Sequence, residues 1–559
     1  MKRKLKVEDA IYLVILMVAL IVRLVDLTVV PLTDLEAGAA LRALDLAQGH
    51  VALVGTQPLY VLLTSVLFRL TSASELMARL VPAIFGSLLI ILPYAARKYI
   101  GWLPGILLAI IIALDPGMVA VSRQAGSVPI AVTGLLLAAA FYLNRHMRLA
   151  GLFASFALLA GTDLWIGAFA LLISVLWYKW SERRRQVGAI PLVQDRRDWW
   201  GFAVFLAGGL LVFGTLFVTV PAGVAGIGDG LIAYFSGWLS GEWASLLDKL
   251  RVLLFYEPFL VVFTLIGLLI GLKERVTIDR WSFRWFAVTA LLVLLYPGGN
   301  SGDVIWLLLP MAVISARKIA SIITDSHDQI GAVLGQALMI LVLIIFGWLN
   351  LSAIPVVQNQ QAISIRTIGL VGAVILILLI TILVMWGWST RVALNGLLVG
   401  VVSALILFSV SAMVNAAGLG RNPSAELWQM DGYFAEQDLL VDTIGDTSEQ
   451  VLGTRDGIDI VVQGVESPSL RWSLREFRNV DYVSELMLQG DPSVIITPDN
   501  VELNLPAEYR GQDFTLSQEP AWSLFLPSDW LKWLLTRDAL MDRVYIRSWV
   551  RLDLFPGAD

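Results

Sequence analysis

Asp34 and Glu36 stand in PLTDLEAGAALRALDLAQGH, residues 31–50, a few residues beyond an apolar run that begins near Ala10. Two carboxylates at i and i+2 do not share a helix face. In a loop or at a helix start, both can still reach one site, where a carboxylate works as general base toward a hydroxyl. The same spacing serves a plainer role. Asp34 precedes an alanine-rich helical stretch and fits an N-cap, with Glu36 in a first turn that the helix dipole favours. Four more ionisable residues, Arg123, Asp163, Glu257 and Asp303, fall beside the ends of apolar runs. Charges gathered at one membrane face point to a site there, although each alone also reads as an ordinary interfacial charge. Arg123, in LDPGMVAVSRQAGSVPIAV, offers a guanidinium that grips a phosphate bidentately or snorkels to headgroups. Gln57 and Tyr60 open the amphipathic stretch QPLYVLLTSVLFRLT.

The elements that position these residues are membrane helices. Of 559 residues, 57% are hydrophobic and only 15% charged, below the usual charged share of soluble domains. Apolar runs long enough to span a bilayer recur along most of the chain. The absence of cysteine excludes disulfides and thiolate metal sites. His50, His146 and His327 lie too far apart in sequence to suggest a histidine-built zinc site. The basic start MKRKLK and the long first core, with no small-residue cleavage site, predict an uncleaved first span.

From Gly418 onward the chain carries 24 acids against 11 bases; the rest carries 21 acids and 29 bases. Basic runs at the start, near 96–98, and at 144–148, 182–197, 273–284 and 316–318 alternate with connections poor in Lys and Arg. That alternation predicts about thirteen spans within residues 1–417, with the N-terminus cytoplasmic and the C-terminus outside. Residues 57–71 read as an interfacial or re-entrant helix within the outer-face loop 31–75. Residues 418–559 form a separate outer region. There the β-like runs IDIVVQ, SVIIT, AWSLFLP and RVYIRSWVRLDLF alternate with helical stretches such as FAEQDLLVDTIGDTSEQ, which predicts a small α/β domain. It has no GxGxxG fingerprint and no P-loop. SPSLRWSLREFRNVDYV (467–483) offers Trp472, Arg475 and Glu476 either as acceptor contacts or as an amphipathic helix that packs its tryptophan.

The stretches PLTDLEA (31–37), QPLY (57–60), SELMARLVPAIFG (74–86), SRQAG (122–126), FYEP (255–258) and NSGDVIWLLLP (300–310) occur in this order. Their order and spacing resemble the GT-C superfamily of membrane glycosyltransferases, in its protein O-mannosyltransferase and aminoarabinose-transferase-like branch, over roughly residues 8–320. The resemblance implies a multi-pass prokaryotic cell-membrane enzyme. Such an enzyme takes a sugar from a polyprenyl-phosphate donor and transfers it, on the outer face, to a protein or lipid acceptor. It further implies Asp34 as general base with Glu36 in support, and Arg123 as phosphate contact. Gln57 and Tyr60 would border the sugar, and Glu257 and Asp303 are placed by topology alone. The resemblance makes no cofactor certain and leaves a divalent cation open, because some members of the superfamily use one and others do not. No nucleic-acid partner is expected.

Two departures stand out. The family's acidic pair is adjacent, whereas Leu35 separates it here, and the SRQAG turn has Gly126 near where a second arginine is usual. These leave a variant site and a catalytically degenerate scaffold both open. A lipid or glycan transporter is the competing class, but it often shows internal repeats, and none is evident.

Overall fold

The computed structural model describes residues 7–50, 54–183, 196–240, 244–271, 277–325, 329–357, 359–428, 432–484, 491–501 and 507–555. The basic runs at 1–6, at 273–275 and over most of 182–197 lie outside the described residues. The chain is a helical bundle followed by one mixed sheet, the architecture expected.

Six described helices are long and apolar enough to cross a membrane: Glu75–Ile100, Thr162–Ser181, Ser301–Thr324, Ile330–Ala353, Gln360–Gly387 and Thr390–Leu419. Two more spans arise if bent pairs are joined, Trp102–Leu114 with Pro116–Ser122 at 53° and Leu246–Tyr256 with Pro258–Leu269 at 92°. Each break falls before a proline. The ring pushes the preceding residue, Asp115 or Glu257, out of helical conformation, while proline itself suits the first position of the next helix. Shorter apolar helices, among them Pro58–Leu70 and Met147–Leu158, stand beside the spans. The expectation of about thirteen spans counted 149–162 as a crossing, whereas Pro58–Leu70 fits the interfacial or re-entrant helix expected over 57–71. Met147–Leu158 has 12 residues, about 18 Å of helix, well short of the hydrocarbon core. Small residues let backbones close up: at Gly167 the ring of Trp306 occupies the place of a side chain.

The sheet holds five strands, β1 (Asp459–Gln463), β2 (Asn479–Val483), β3 (Val494–Pro498), β4 (Tyr509–Pro520) and β5 (Met541–Arg551), in the order β2-β1-β3-β5-β4. β1 runs parallel to β2 and β3, and β5 is antiparallel to β3 and β4. Central β3, VIITP, has four consecutive buried residues, as a strand covered on both faces must. Helix Gln437–Leu452 packs Leu440 and Ile444 into the core with Ile460, Val462, Ile496 and Phe514. One expected strand is absent. AWSLFLP forms a 3₁₀ turn at Trp522–Leu524, and its aromatic residues pack on one another and on Trp530 instead of entering a ladder.

Candidate functional site at the bundle end beneath the sheet

Helix Asp34–Gln48 begins with a capping box. The Thr33 hydroxyl accepts from Glu36 N at 3.4 Å, and Glu36 Oε2 accepts from Thr33 N at 3.1 Å. The cap is therefore Thr33, and Asp34 is the first helical residue instead of the cap. Thr-x-x-Glu before an apolar run is the sequence signature of this motif and was legible in TDLE.

Glu36 turns inward and is almost wholly buried. Arg79, from SELMAR, grips it bidentately, with Nε 2.9 Å from Oε1 and Nη2 2.7 Å from Oε2. Ala125 N, from SRQAG, donates to Oε1 at 2.6 Å. The remaining donors of Arg79 reach the carbonyls of Leu27, Val30 and Pro31 at 2.8, 2.5 and 3.0 Å. Three of the stretches that carried the family resemblance thus meet at one carboxylate. Burial alone would push the Glu36 carboxyl up. The Arg79 charge and hydrogen bonds, with the amides of Ala125 and Thr33, outweigh it and hold the group below its usual value.

Asp34 turns the other way. Its Oδ1 accepts from Ser467 Oγ and from Ser469 N, both at 2.8 Å, at the start of the short helix Pro468–Ser473 of the sheet domain. Its Oδ2 has no partner among the described residues. Leu35, between the two acids, is exposed. The separation follows from the i, i+2 spacing: one acid locks the bundle and the other meets the domain above it.

Arg123 is fully engaged by the chain itself. Nε donates to Ala417 O at 2.9 Å, Nη1 to Val22 O at 3.0 Å and Val25 O at 2.6 Å, and Nη2 to Asp26 O at 2.9 Å. The cation the sequence reading missed is Arg42. It is half-buried, with no hydrogen-bond or ion-pair partner among the described residues, and its Nε is shut off from solvent. Burial pulls its guanidinium below the usual value. It lies against Gly55, where a Cβ would stand 3.3 Å from Nε, and Gly55 has a φ of +72° that glycine readily takes. Beside this notch, Gln57 Oε1 is also buried without a partner. Thr162 N donates to Thr56 O at 3.3 Å, which brings in two more unpartnered buried atoms, Thr162 Oγ1 and Trp165 Nε1. Tyr60 is buried and donates to Ala78 O at 3.0 Å, so it forms a wall of the site.

The other expected acids fall into two groups. Asp163 accepts from Ser127 Oγ at 2.5 Å, two residues past the amide on Glu36. Asp303 accepts from Asn300 N at 3.1 Å. Fully buried Lys249 donates to Val293 O at 3.0 Å and Tyr296 O at 2.8 Å. Lys249 Nζ and Asp303 Oδ2 both lie within 2.7 Å of the point a Gly299 Cβ would take. Glu257 belongs elsewhere: its carboxyl touches that of Asp115 and accepts from Gly117 N at 3.1 Å, joining the two helix breaks. Among the described residues, no three His, Cys, Asp or Glu side chains gather as a metal site.

The sheet domain is fastened over this end of the bundle. Trp472 is buried against Phe68, ring centroids 5.8 Å apart, so it packs on the bundle as well as on its own domain. Arg475 Nε reaches Ala73 O at 3.2 Å and Gln437 Nε2 reaches Glu75 at 3.2 Å. Tyr256 donates to Glu426, whose other oxygen lies 3.7 Å from Arg537 Nε. Burial pushes the Glu426 carboxyl up despite Arg537 and Tyr256.

This fold, a polytopic helical bundle with a mixed sheet over one end, has counterparts among solved structures. Two of the solved structures it matches are of ArnT from Cupriavidus metallidurans. The form bound to undecaprenyl phosphate matches over 98% of each chain, at 15% identity and a TM-score of 0.52. The apo form matches over 96% of this chain and 97% of that one, at 14% identity and a TM-score of 0.50. At that identity the likeness is one of fold. No family model and no curated protein matches the chain. With its long apolar helices, the chain is an integral membrane protein.

Proposed function

We propose that the protein is a membrane glycosyltransferase that moves a sugar from a polyprenyl-phosphate carrier to a protein or lipid acceptor. The observation that carries this reading is a fold shared along nearly the whole chain with a structure that holds undecaprenyl phosphate. A multi-pass place in the cell membrane, N-terminus cytoplasmic and sheet domain outside, belongs to the same proposal and rests on the basic runs.

Asp34 is the general base. Ser467 and Ser469 fix Oδ1, and Oδ2 takes the proton of the acceptor hydroxyl. The acceptor oxygen bonds to the anomeric carbon. The bond from that carbon to the carrier phosphate breaks, and polyprenyl phosphate leaves with the electron pair. Its developing charge needs a cation. Unpartnered Arg42 suits this role better than Arg123, whose donors are already engaged by carbonyls. Asp34 and Arg42 are eight residues apart on one helix, about 12 Å by rise, and helical side chains lean toward the N-terminus, which brings Arg42 back toward Asp34. Gln57 borders the sugar with its free amide oxygen. Glu36 supports the site by holding the helix start in place, with no part in proton transfer.

A second reading, transport, draws on the two broken helices whose buried acids, Asp115 and Glu257, touch. The deciding experiment reconstitutes the protein with radiolabelled polyprenyl-phosphate sugars and candidate acceptors, comparing wild type with Asp34→Asn and Arg42→Ala. Transfer that both variants abolish supports the proposal. Transfer that survives both removes the site assignment, and translocation without transfer moves the protein to the second reading.

A further inference from the structure

We infer that the sheet domain dips the segment Trp522–Leu531 into the lipid–water interface beside the bundle, so that the bilayer itself is the ligand of this surface. The segment joins β4 to helix Pro527–Thr536. Leu524 and Leu526 project from it with 68% and 63% of their surface exposed, and Leu531 with 43%. On a domain in water, such a cluster would be an unexplained apolar patch.

Its surroundings identify the occupant. Trp530 stacks on Phe255 of helix Ala244–Tyr256, centroids 5.1 Å apart and planes 7° from parallel, and Trp522 stacks on Trp530 at 5.1 Å. Helix Pro527–Thr536 also touches the membrane-length helix Ile330–Ala353. The Phe255 helix shows exposed Leu247, Leu250 and Leu254 along one side, and the helix after its bend shows Leu265 and Leu269. Exposed apolar side chains therefore lie both on the bent helix pair and on the sheet-domain segment stacked against it. The composition of that segment is that of an interfacial one, with tryptophans and leucines beside charged groups: Arg251, paired with Asp248, sits 5.0 Å over the Trp530 ring, Lys532 is exposed, and Asp529 caps the helix start.

Because the chain has no cysteine, single labels can be introduced cleanly. Leu526→Cys and Leu531→Cys, each with a nitroxide and in the full chain in lipid nanodiscs, are compared with Leu254→Cys on the bundle and with Leu439→Cys on exposed helix Gln437–Leu452 of the same domain. The ratio of collisions with oxygen to collisions with a water-soluble nickel chelate reports depth. The expected result is a ratio at 526 and 531 several-fold above that at 439 and close to that at 254. A ratio equal to that at 439 overturns the inference. So does low access to both reagents, which would place a second copy of the chain over the patch.

Discussion

Arg79→Met removes the guanidinium that meets both oxygens of Glu36 and three backbone carbonyls. The partner left behind is a buried carboxylate with only two amide donors, and breaking a buried pair from one side costs about 3–5 kcal/mol. Spread over the unfolding entropy of a 559-residue chain, a loss of that size lowers the melting temperature by about 3–4 °C. Adding Glu36→Met to Arg79→Met removes the stranded charge, so the double variant recovers part of the loss, with a coupling of about 0.5–3 kcal/mol. Thermal unfolding of purified protein in detergent, followed by monomer loss in gel filtration, reads all three variants. The pH dependence has a defined sign. The folded pKa of Glu36 is depressed, so its stabilisation is present above the ordinary carboxylate value near about 4.3 and disappears as pH falls through the folded value. The reasoning fails if Arg79→Met shifts stability by no more than about 0.5 kcal/mol, as a surface change does, or if the two single costs simply add.

Glu426 has the opposite sign. Its carboxyl is pushed up, so its contribution is complete below the ordinary value and declines as pH rises through the folded one; melting curves should show Glu426→Gln gaining on wild type between acid and neutral pH. Gly161→Ala places a methyl against the Thr56 carbonyl at a φ of +75°; we expect a loss of about 1–3 kcal/mol or more, and a melting temperature within 1 °C of wild type would contradict the packing there. Trp472→Ala empties a buried seat against Phe68, should cost about 3–5 kcal/mol, and should raise protease sensitivity at the junction of sheet and bundle.

What the sequence disclosed follows the range of the forces involved. Apolar runs declared the helices, and the short β-branched runs in IDIVVQ and SVIIT declared β1 and β3, because both patterns are local. The capping box in TDLE is equally local. AWSLFLP misled, since its apolar and aromatic content suits a strand while Trp522 and Phe525 pack on each other and on Trp530, which in turn stacks on Phe255 of the bundle. The standing of the two arginines was not legible. Arg123 is engaged partly by Ala417, 294 residues away, and Arg42 is left unpartnered only by what packs around it. A charge's partners depend on the tertiary fold, so residue type and a nearby span end cannot tell an engaged cation from a free one.

Ser467 and Ser469, which hold Asp34, lie 433 and 435 residues downstream of it. The growing chain therefore inserts its whole bundle before the groups that orient this carboxylate have been synthesised. Until the sheet domain has folded and docked, Asp34 Oδ1 lacks both of these partners, and a chain halted after Thr390–Leu419 never gains them.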